Sequence, residues 1–232
     1  MLELVCDRKI QLFTKQNDLS MKKYSVEFIG TFFLVLTVVL TTNNPGIAPM
    51  APLAIGAMLM AMVFAGGHIS GGHYNPAVTL AVYMRGKIEM NEAIVYTVVQ
   101  ILGAAAAAAI GVYLHGCGGG AAIDLHSNGD PMGSVLAELL GTFALAYVVL
   151  NVATTSSNAG NSHDGLAIGF TMMVSFYAFG DISGGAFNPA VAIGATIAGM
   201  FAGGDIWIYL VGCLAGGAAA ATVFSGVYGR GE

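Results

Sequence analysis

The sequence predicts an all-α integral membrane protein: six transmembrane helices plus two re-entrant half-helices, arranged as an inverted repeat of three spans and three. Three observations predict it. Six stretches are long and apolar, the two halves of the chain repeat three landmarks in one order, and each half carries an Asn-Pro-Ala motif that opens an apolar segment too short to cross a membrane.

Composition sets the solvent. Of 232 residues, 56% are hydrophobic and 9% charged, against about 25% charged in a soluble domain. So few charges do not cover the surface of a water-soluble globule, and the lipid bilayer is the expected partner. A net charge of −5 argues against nucleic acid. The cysteines, Cys6, Cys117 and Cys213, are far apart and odd in number, which fits neither a disulfide framework nor a metal site. The histidines have no zinc-like spacing, so neither a metal nor a cofactor is expected. The first twenty residues carry Arg8, Lys9 and Lys15 without a long apolar core before a small-residue cleavage site. They read as a retained tail.

A membrane-crossing helix needs about 20 mostly apolar residues. The stretches 24–42, 47–67, 94–114, 133–153, 165–180 and 206–228 qualify or come close, the fifth being short. Glycine and alanine crowd several of them, as at 103–109 and 212–221. In lipid such residues let helix backbones approach closely. With six spans and a cytoplasmic N-terminus, all the basic residues, Arg8, Lys9, Lys15, Lys22, Lys23, Arg85, Lys87 and Arg230, fall on the cytoplasmic side. The opposite loops carry only acids, Asp124, Asp130, Asp181 and Asp205. This bias sets both termini in the cytoplasm. The expected organisation is a cytoplasmic tail over 1–20, a first repeat over 21–116, an extracellular connection over 117–132 and a second, inverted repeat over 133–229.

The repeat is specific. Glu27-Phe-Ile-Gly-Thr-Phe matches Glu138-Leu-Leu-Gly-Thr-Phe, and Ile69-Ser-Gly-Gly-His-Tyr-Asn-Pro-Ala-Val matches Ile182-Ser-Gly-Gly-Ala-Phe-Asn-Pro-Ala-Val. Gln100-Ile-Leu-Gly-Ala-Ala lines up with Cys213-Leu-Ala-Gly-Gly-Ala. The glutamates are offset by 111 residues and the asparagines by 113. Each half holds three spans, an odd number, so the second half enters the membrane upside down. The short pieces 77–84 and 190–200 follow the two motifs. Eleven helical residues rise about 16 Å, roughly half the hydrocarbon, so two pieces entering from opposite faces would together form a seventh span. Asparagine is a preferred N-cap and proline a preferred first residue, which fixes where each begins. The irregular Ile-Ser-Gly-Gly runs before them are tolerated at membrane depth only within protein or beside a watery cavity.

On these doubled motifs the chain resembles the aquaporin, or major intrinsic protein, family over about residues 21 to 229. The resemblance implies one pore per subunit, four subunits to an assembly, and a passive channel for water and possibly small neutral solutes, not an enzyme. Pore motifs are then Asn75, Pro76, Ala77, Asn188, Pro189 and Ala190. An asparagine oxygen that caps its own helix leaves its NH₂ toward the lumen, donors without an acceptor. Beside two positive helix ends, such donors orient a water and oppose proton and cation passage. The carbonyls of Gly71, Gly72, His73 and Tyr74, and of Gly184, Ala186 and Phe187, are expected to line one wall. Glu27 and Glu138 are ionisable residues within spans, a pattern that by default marks function. The structural reading is preferred: by resemblance they support the re-entrant loops by accepting backbone N–H groups. His163 begins the fifth span and is either a titrating gate or a solvated loop histidine, the latter preferred.

The chain departs from the family at its selectivity filter. By resemblance the four positions are Ile55, Phe176, Gly185 and Val191. The arginine that most relatives place at the last is absent, as is the histidine of many water-selective members. The glycerol-conducting subgroup's Arg-Asp is missing as well, while Leu210 leans toward that subgroup and Tyr209 toward the water type. Such a filter offers no charged donor and predicts a wider, less demanding passage. Ammonia, hydrogen peroxide, urea and glycerol become candidate solutes. A cysteine that sensitises some relatives to mercury is Gly185 here. A closed-pore membrane junction or scaffold protein of the same fold is the alternative reading.

Overall fold

The computed structural model describes residues 2–115, 122–125 and 129–229, with side chains from Leu19 onward. Cys117 and Arg230 lie outside the described residues, as do part of the expected 117–132 connection and the side chains of Cys6, Arg8, Lys9 and Lys15. Eight α-helices are described: α1 Leu2–Thr42, α2 Ala51–Ser70, α3 Pro76–Met84, α4 Met90–His115, α5 Pro131–Thr154, α6 Asp164–Ser183, α7 Pro189–Ile197 and α8 Ile206–Tyr228. Six of them are long and apolar enough to cross a membrane, with Leu19–Thr42 the membrane-length part of α1.

The short helices α3 and α7 have nine residues each. They rise about 14 Å, so neither spans alone. Both are opened by asparagine and proline. The fifth span is longer than the sequence suggests. Helices α2 and α6 run through Gly67 and Gly180 and stop where Gly71 and Gly184 take left-handed φ values of 92° and 86°. Glycine within a membrane helix does not end it, whereas a glycine with positive φ does. Helix α7 ends three residues before the expected boundary, where Gly199 turns at φ 74°.

Packing follows the repeat. Helix α1 packs on α2 and α4, and α5 packs on α6 and α8 in the same way. The short helices cross between halves: α3 lies on α8 and α5, while α7 lies on α4 and α1. The halves also meet at α2 against α6 and at the N-termini of α3 and α7. Large apolar side chains such as Ile29, Phe33, Val98, Leu102 and Phe170 remain exposed on the outside, as a lipid-facing or subunit-facing surface requires.

The contacts between halves depend on residues without side chains. At the α2–α6 crossing, a Cβ on Gly56 would stand 2.5 Å from the Gly169 carbonyl oxygen, and a Cβ on Gly169 would meet that of Gly56 equally closely. Gly217 of α8 lies on the Ala77 carbonyl in the same manner. Backbone cannot give way as a flexible side chain can. Gly56→Val is therefore expected to destabilise the fold by about 1–3 kcal/mol or more. Gly203→Ala, whose Cβ would enter open space, should be nearly neutral. Thermal unfolding of the two variants in detergent checks the contrast; equal melting temperatures would show that the crossing is loose.

Candidate permeation site

The site is built from the starts of α3 and α7. Asn75 and Asn188 adopt extended φ values of −158° and −161°. Asn75 Oδ1 accepts from the N–H of Ala77 at 2.8 Å and of Val78 at 3.4 Å. Asn188 Oδ1 accepts from Ala190 at 2.9 Å and Val191 at 3.4 Å. Pro76 and Pro189 follow, where no intrahelical N–H bond is lost.

The two loops that deliver these asparagines are pinned by buried carboxylates. Glu27 accepts from Ser70 Oγ at 2.7 Å, His73 N at 2.9 Å, Tyr74 N at 2.7 Å and Gln100 Nε2 at 2.8 Å. Glu138 accepts from Ser183 Oγ at 2.6 Å, Ala186 N at 2.9 Å, Phe187 N at 2.7 Å and Cys213 Sγ at 3.3 Å. Tyr74 and Phe187 occupy the left-handed region at φ 48° and 50°, which costs a non-glycine residue on the order of 1–3 kcal/mol. Two features hold them there. Their N–H groups bond the carboxylates, and their rings fill spaces where Gly30 and Gly141 lack a side chain. A Cβ on either glycine would fall within the ring it faces. The Glu-x-x-Gly spacing thus gives each loop a carboxylate and, one helical turn on, a seat for its aromatic ring.

The tips meet across the pseudo-twofold. Asn75 Nδ2 donates to the Phe187 carbonyl at 2.9 Å, and Asn188 Nδ2 donates to the Tyr74 carbonyl at 2.8 Å. Here the structure refines the sequence reading: one N–H of each amide is spent on the opposite loop, so one remains rather than two. The carbonyls of Gly71, Gly72, His73, Gly184, Gly185 and Ala186 accept no protein hydrogen bond among the described residues. Both asparagines line a cavity of about 10 Å³, about the space of one water. Leu59, Leu145, Ile168 and Met172 form its apolar wall. The cavity's polar groups are thus gathered on the wall made by the loops. Gly71 and His73 continue toward a wider recess of about 260 Å³ that also holds Lys23, Lys87 and Glu92. Lys23 and Glu92 pair at 2.7 Å there.

The expected filter residues are largely enclosed. Ile55 and Val191 are 0% exposed, and Phe176 is 7% exposed. The Phe176 ring lies where a Gly185 side chain would stand, 2.8 Å from the position of its Cβ, and meets Phe187 edge to face at 5.3 Å. Phe176 and Gly185 are in contact, and the room left by the missing side chain is filled by the ring. The sequence reading did not anticipate this contact.

His73 is a packing residue. Thr79 Oγ1 donates to the Asn75 carbonyl and accepts from Gln100 Nε2. His73 Nδ1 at 3.1 Å must then donate to it. His163 precedes α6 with its backbone N–H bonded to Asn161 Oδ1. Among the described residues no cluster of three or more His, Cys, Asp or Glu could hold a metal. The sequence reading missed Tyr96, and took Tyr209 only as a subgroup marker. Their hydroxyls donate to the carbonyls of Ser70 at 2.7 Å and Ser183 at 2.6 Å, where each loop leaves its helix. Their offset of 113 residues, the same as that of the asparagines, was the available signal.

Comparison with known proteins agrees with this arrangement. The family model "Major intrinsic protein" matches residues 47–224. "Glycerol uptake facilitator protein-like 6" of Lactiplantibacillus plantarum is 37% identical over 82% of this chain and 91% of its own length. "Aquaporin TIP2-1" of Arabidopsis thaliana is 34% identical over 90% and 88%. The aquaglyceroporin structure from Plasmodium falciparum superposes with a TM-score of 0.74 at 22% identity, covering 90% of this chain and 96% of that one. That last likeness concerns the fold. The chain belongs to the major intrinsic protein family and is a passive membrane channel for water and small solutes, not an enzyme.

Proposed function

We propose that permeants pass in single file between the paired tips of α3 and α7, with water and glycerol-sized neutral solutes the substrates. The observation that carries this is the joining of Asn75 and Asn188 across the pseudo-twofold beside a cavity about one water wide. Each tip offers one unspent amide N–H and a positive helix end. A water there accepts and turns its hydrogens away, so no proton relay forms and cations meet repulsion. The free loop carbonyls accept on either side of that point. Glu27 and Glu138 act on the loops rather than on the permeant. The glycerol facilitator among the relatives and the absence of a filter arginine both favour neutral solutes beside water.

The same proposal covers arrangement. Residues 1–20 form a cytoplasmic tail, 21–116 and 133–229 are the inverted repeats, and 117–132 connects them outside. Both termini face the cytoplasm, and four copies assemble. The basic bias of one end supports the orientation: Lys23 and Lys87 share a recess there. The exposed apolar helix faces support assembly.

Purified protein in liposomes is expected to speed shrinkage under an osmotic step, with a low activation energy. Rates equal to empty vesicles in several lipid compositions would replace this proposal with the closed-pore junction protein.

Two filter variants should act in opposite directions. Phe176→Ala removes the ring over Gly185 and should raise glycerol flux relative to water on the order of tenfold, a barrier change of about 1.4 kcal/mol. Val191→Arg adds a fixed charge in a low-dielectric throat and should lower both the solute-to-water ratio and any proton leak. Burial of the guanidinium costs about 2.5–3.5 kcal/mol, so assembly is checked first by size-exclusion chromatography. An unchanged ratio in both assembled variants would remove these positions from the path.

Mercurial sensitivity probes the same contact. The unmodified protein should respond weakly, because no cysteine lies in either pore loop and Cys213 is buried. Gly185→Cys alone faces the Phe176 ring and a φ of 69°. The double variant Gly185→Cys/Phe176→Ala gives the thiol room and should show mercury block of water flux. Strong block of the unmodified protein that disappears with Cys213→Ser would displace the proposed path toward α8.

A further inference from the structure

Away from the paired loop tips, Arg85 is a buried cation with no ion pair among the described residues. Arg85 caps the C-terminus of α3, is 8% exposed, and has Nε and Nη2 buried without a hydrogen-bond partner. A buried guanidinium normally has its donors satisfied, because desolvating unpaired charge is costly. Its face is already occupied: the guanidinium carbon lies 5.0 Å from the centroid of the Phe224 ring. Nε and Nη2 together form one side of the planar fork, the edge that grips two oxygens of a phosphate or carboxylate at once. The unpaired donors are therefore the two needed for a bidentate oxyanion, and this buried edge meets one when the side chain turns it into the adjoining cavity.

The surroundings suit such a guest. Arg85 lines a cavity of about 680 Å³ with Gly86, Thr222, Ser225 and Gly226. Among the described residues lining it there is no carboxylate. A Cβ on Gly86 or Gly226 would meet nothing within 4 Å, so the walls are open. Thr222 spends its hydroxyl proton on the Ala218 carbonyl, which leaves Ser225 as the hydroxyl donor. Depth selects the source of the oxyanion. Helix α8 has 23 residues and rises about 35 Å, against about 30 Å of hydrocarbon. Its last turn, with Ser225, therefore reaches headgroup level, on the basic end of the molecule.

We propose that Arg85, with Ser225 and the open walls at Gly86 and Gly226, seats the phosphate of an anionic phospholipid between α3 and the end of α8. The lipid's chains would continue along the exposed apolar side of α8, which carries Val223 and Val227. The lipid would hold the far end of the half-helix whose near end carries Asn75, at no point entering the path of the permeant.

Binding is read from the full chain in detergent, by native mass spectrometry and by the melting-temperature rise on titration with phosphatidylglycerol, phosphatidylcholine or inorganic phosphate. Phosphatidylglycerol should be retained at least tenfold more strongly than phosphatidylcholine. Arg85→Gln should abolish that preference, and Arg85→Lys, a point charge without the fork, should weaken it severalfold. Gly226→Leu fills the cavity from the opposite wall with Arg85 intact and should lower retention about as far as Arg85→Gln, which keeps the test valid if Arg85→Gln assembles poorly. Inorganic phosphate that reproduces the full thermal shift and abolishes the lipid preference would overturn the lipid source and leave a free-anion seat. Equal retention in wild type, Arg85→Gln and Gly226→Leu would overturn the site. None of these readouts depends on conduction, so the result is independent of the proposed permeant.

Discussion

The carboxylate that each half buries beneath its re-entrant loop is the constraint on which the rest depends. Irregular backbone at membrane depth has no water to satisfy it. Glu27 and Glu138 meet that requirement by each accepting two consecutive loop N–H groups and a serine hydroxyl. A carboxylate is the side chain that offers acceptors only, with four lone-pair directions to distribute. Its charge is offset by charge-assisted bonds in a setting where screening is weak. Once the loop is fixed, the position of the asparagine follows, then the start of the half-helix, then the direction of its dipole.

The halves are not equal copies of this device. In the first, His73, Thr79 and Gln100 form a side-chain network beneath the loop. The positions offset by 113 residues are Ala186, Ala192 and Cys213. The second loop therefore rests on a thiol, a weaker donor than an amide, and on close packing of alanines that are 0% exposed. Both loops hang from a carboxylate; the first has a polar side-chain network beneath it as well, and the second has close-packed alanines. The hydroxyls of Tyr96 and Tyr209 restore some equality by bonding the last serine carbonyl before each loop.

Much of the fold was legible in the sequence because hydrophobic length, the doubled Asn-Pro-Ala and the offset of the repeats are local or periodic signals. The starts of α3 and α7 follow from the cap chemistry of Asn75 and Asn188 alone. The ends were less legible. Gly67 and Gly71 lie four positions apart, each in a Gly-Gly pair, yet only Gly71 of the two turns left-handed, and no residue pattern states φ. The role of Gly30 was hidden for a different reason: its significance lies in Tyr74, more than forty residues away, which fills its empty side. The second use of the asparagine amides, across the pseudo-twofold, likewise exists only after both halves have been brought together.

The filter shows why residue types counted singly mislead. Gly185 read alone implies space, and Phe176 read alone implies an aromatic wall. In contact they are one volume, with the ring in the place of the missing side chain. Cores accept exchanges that conserve volume far better than exchanges that do not, so the size of one of these residues constrains the size of the other. Val191 is likewise enclosed, at 0% exposure beside a capped helix start. Neither an absent arginine nor an absent side chain at Gly185 amounts to open space by itself. On the proposed path, selectivity at the filter would rest on steric fit and the cost of dewetting, and the charge-dependent step would fall to the two asparagines.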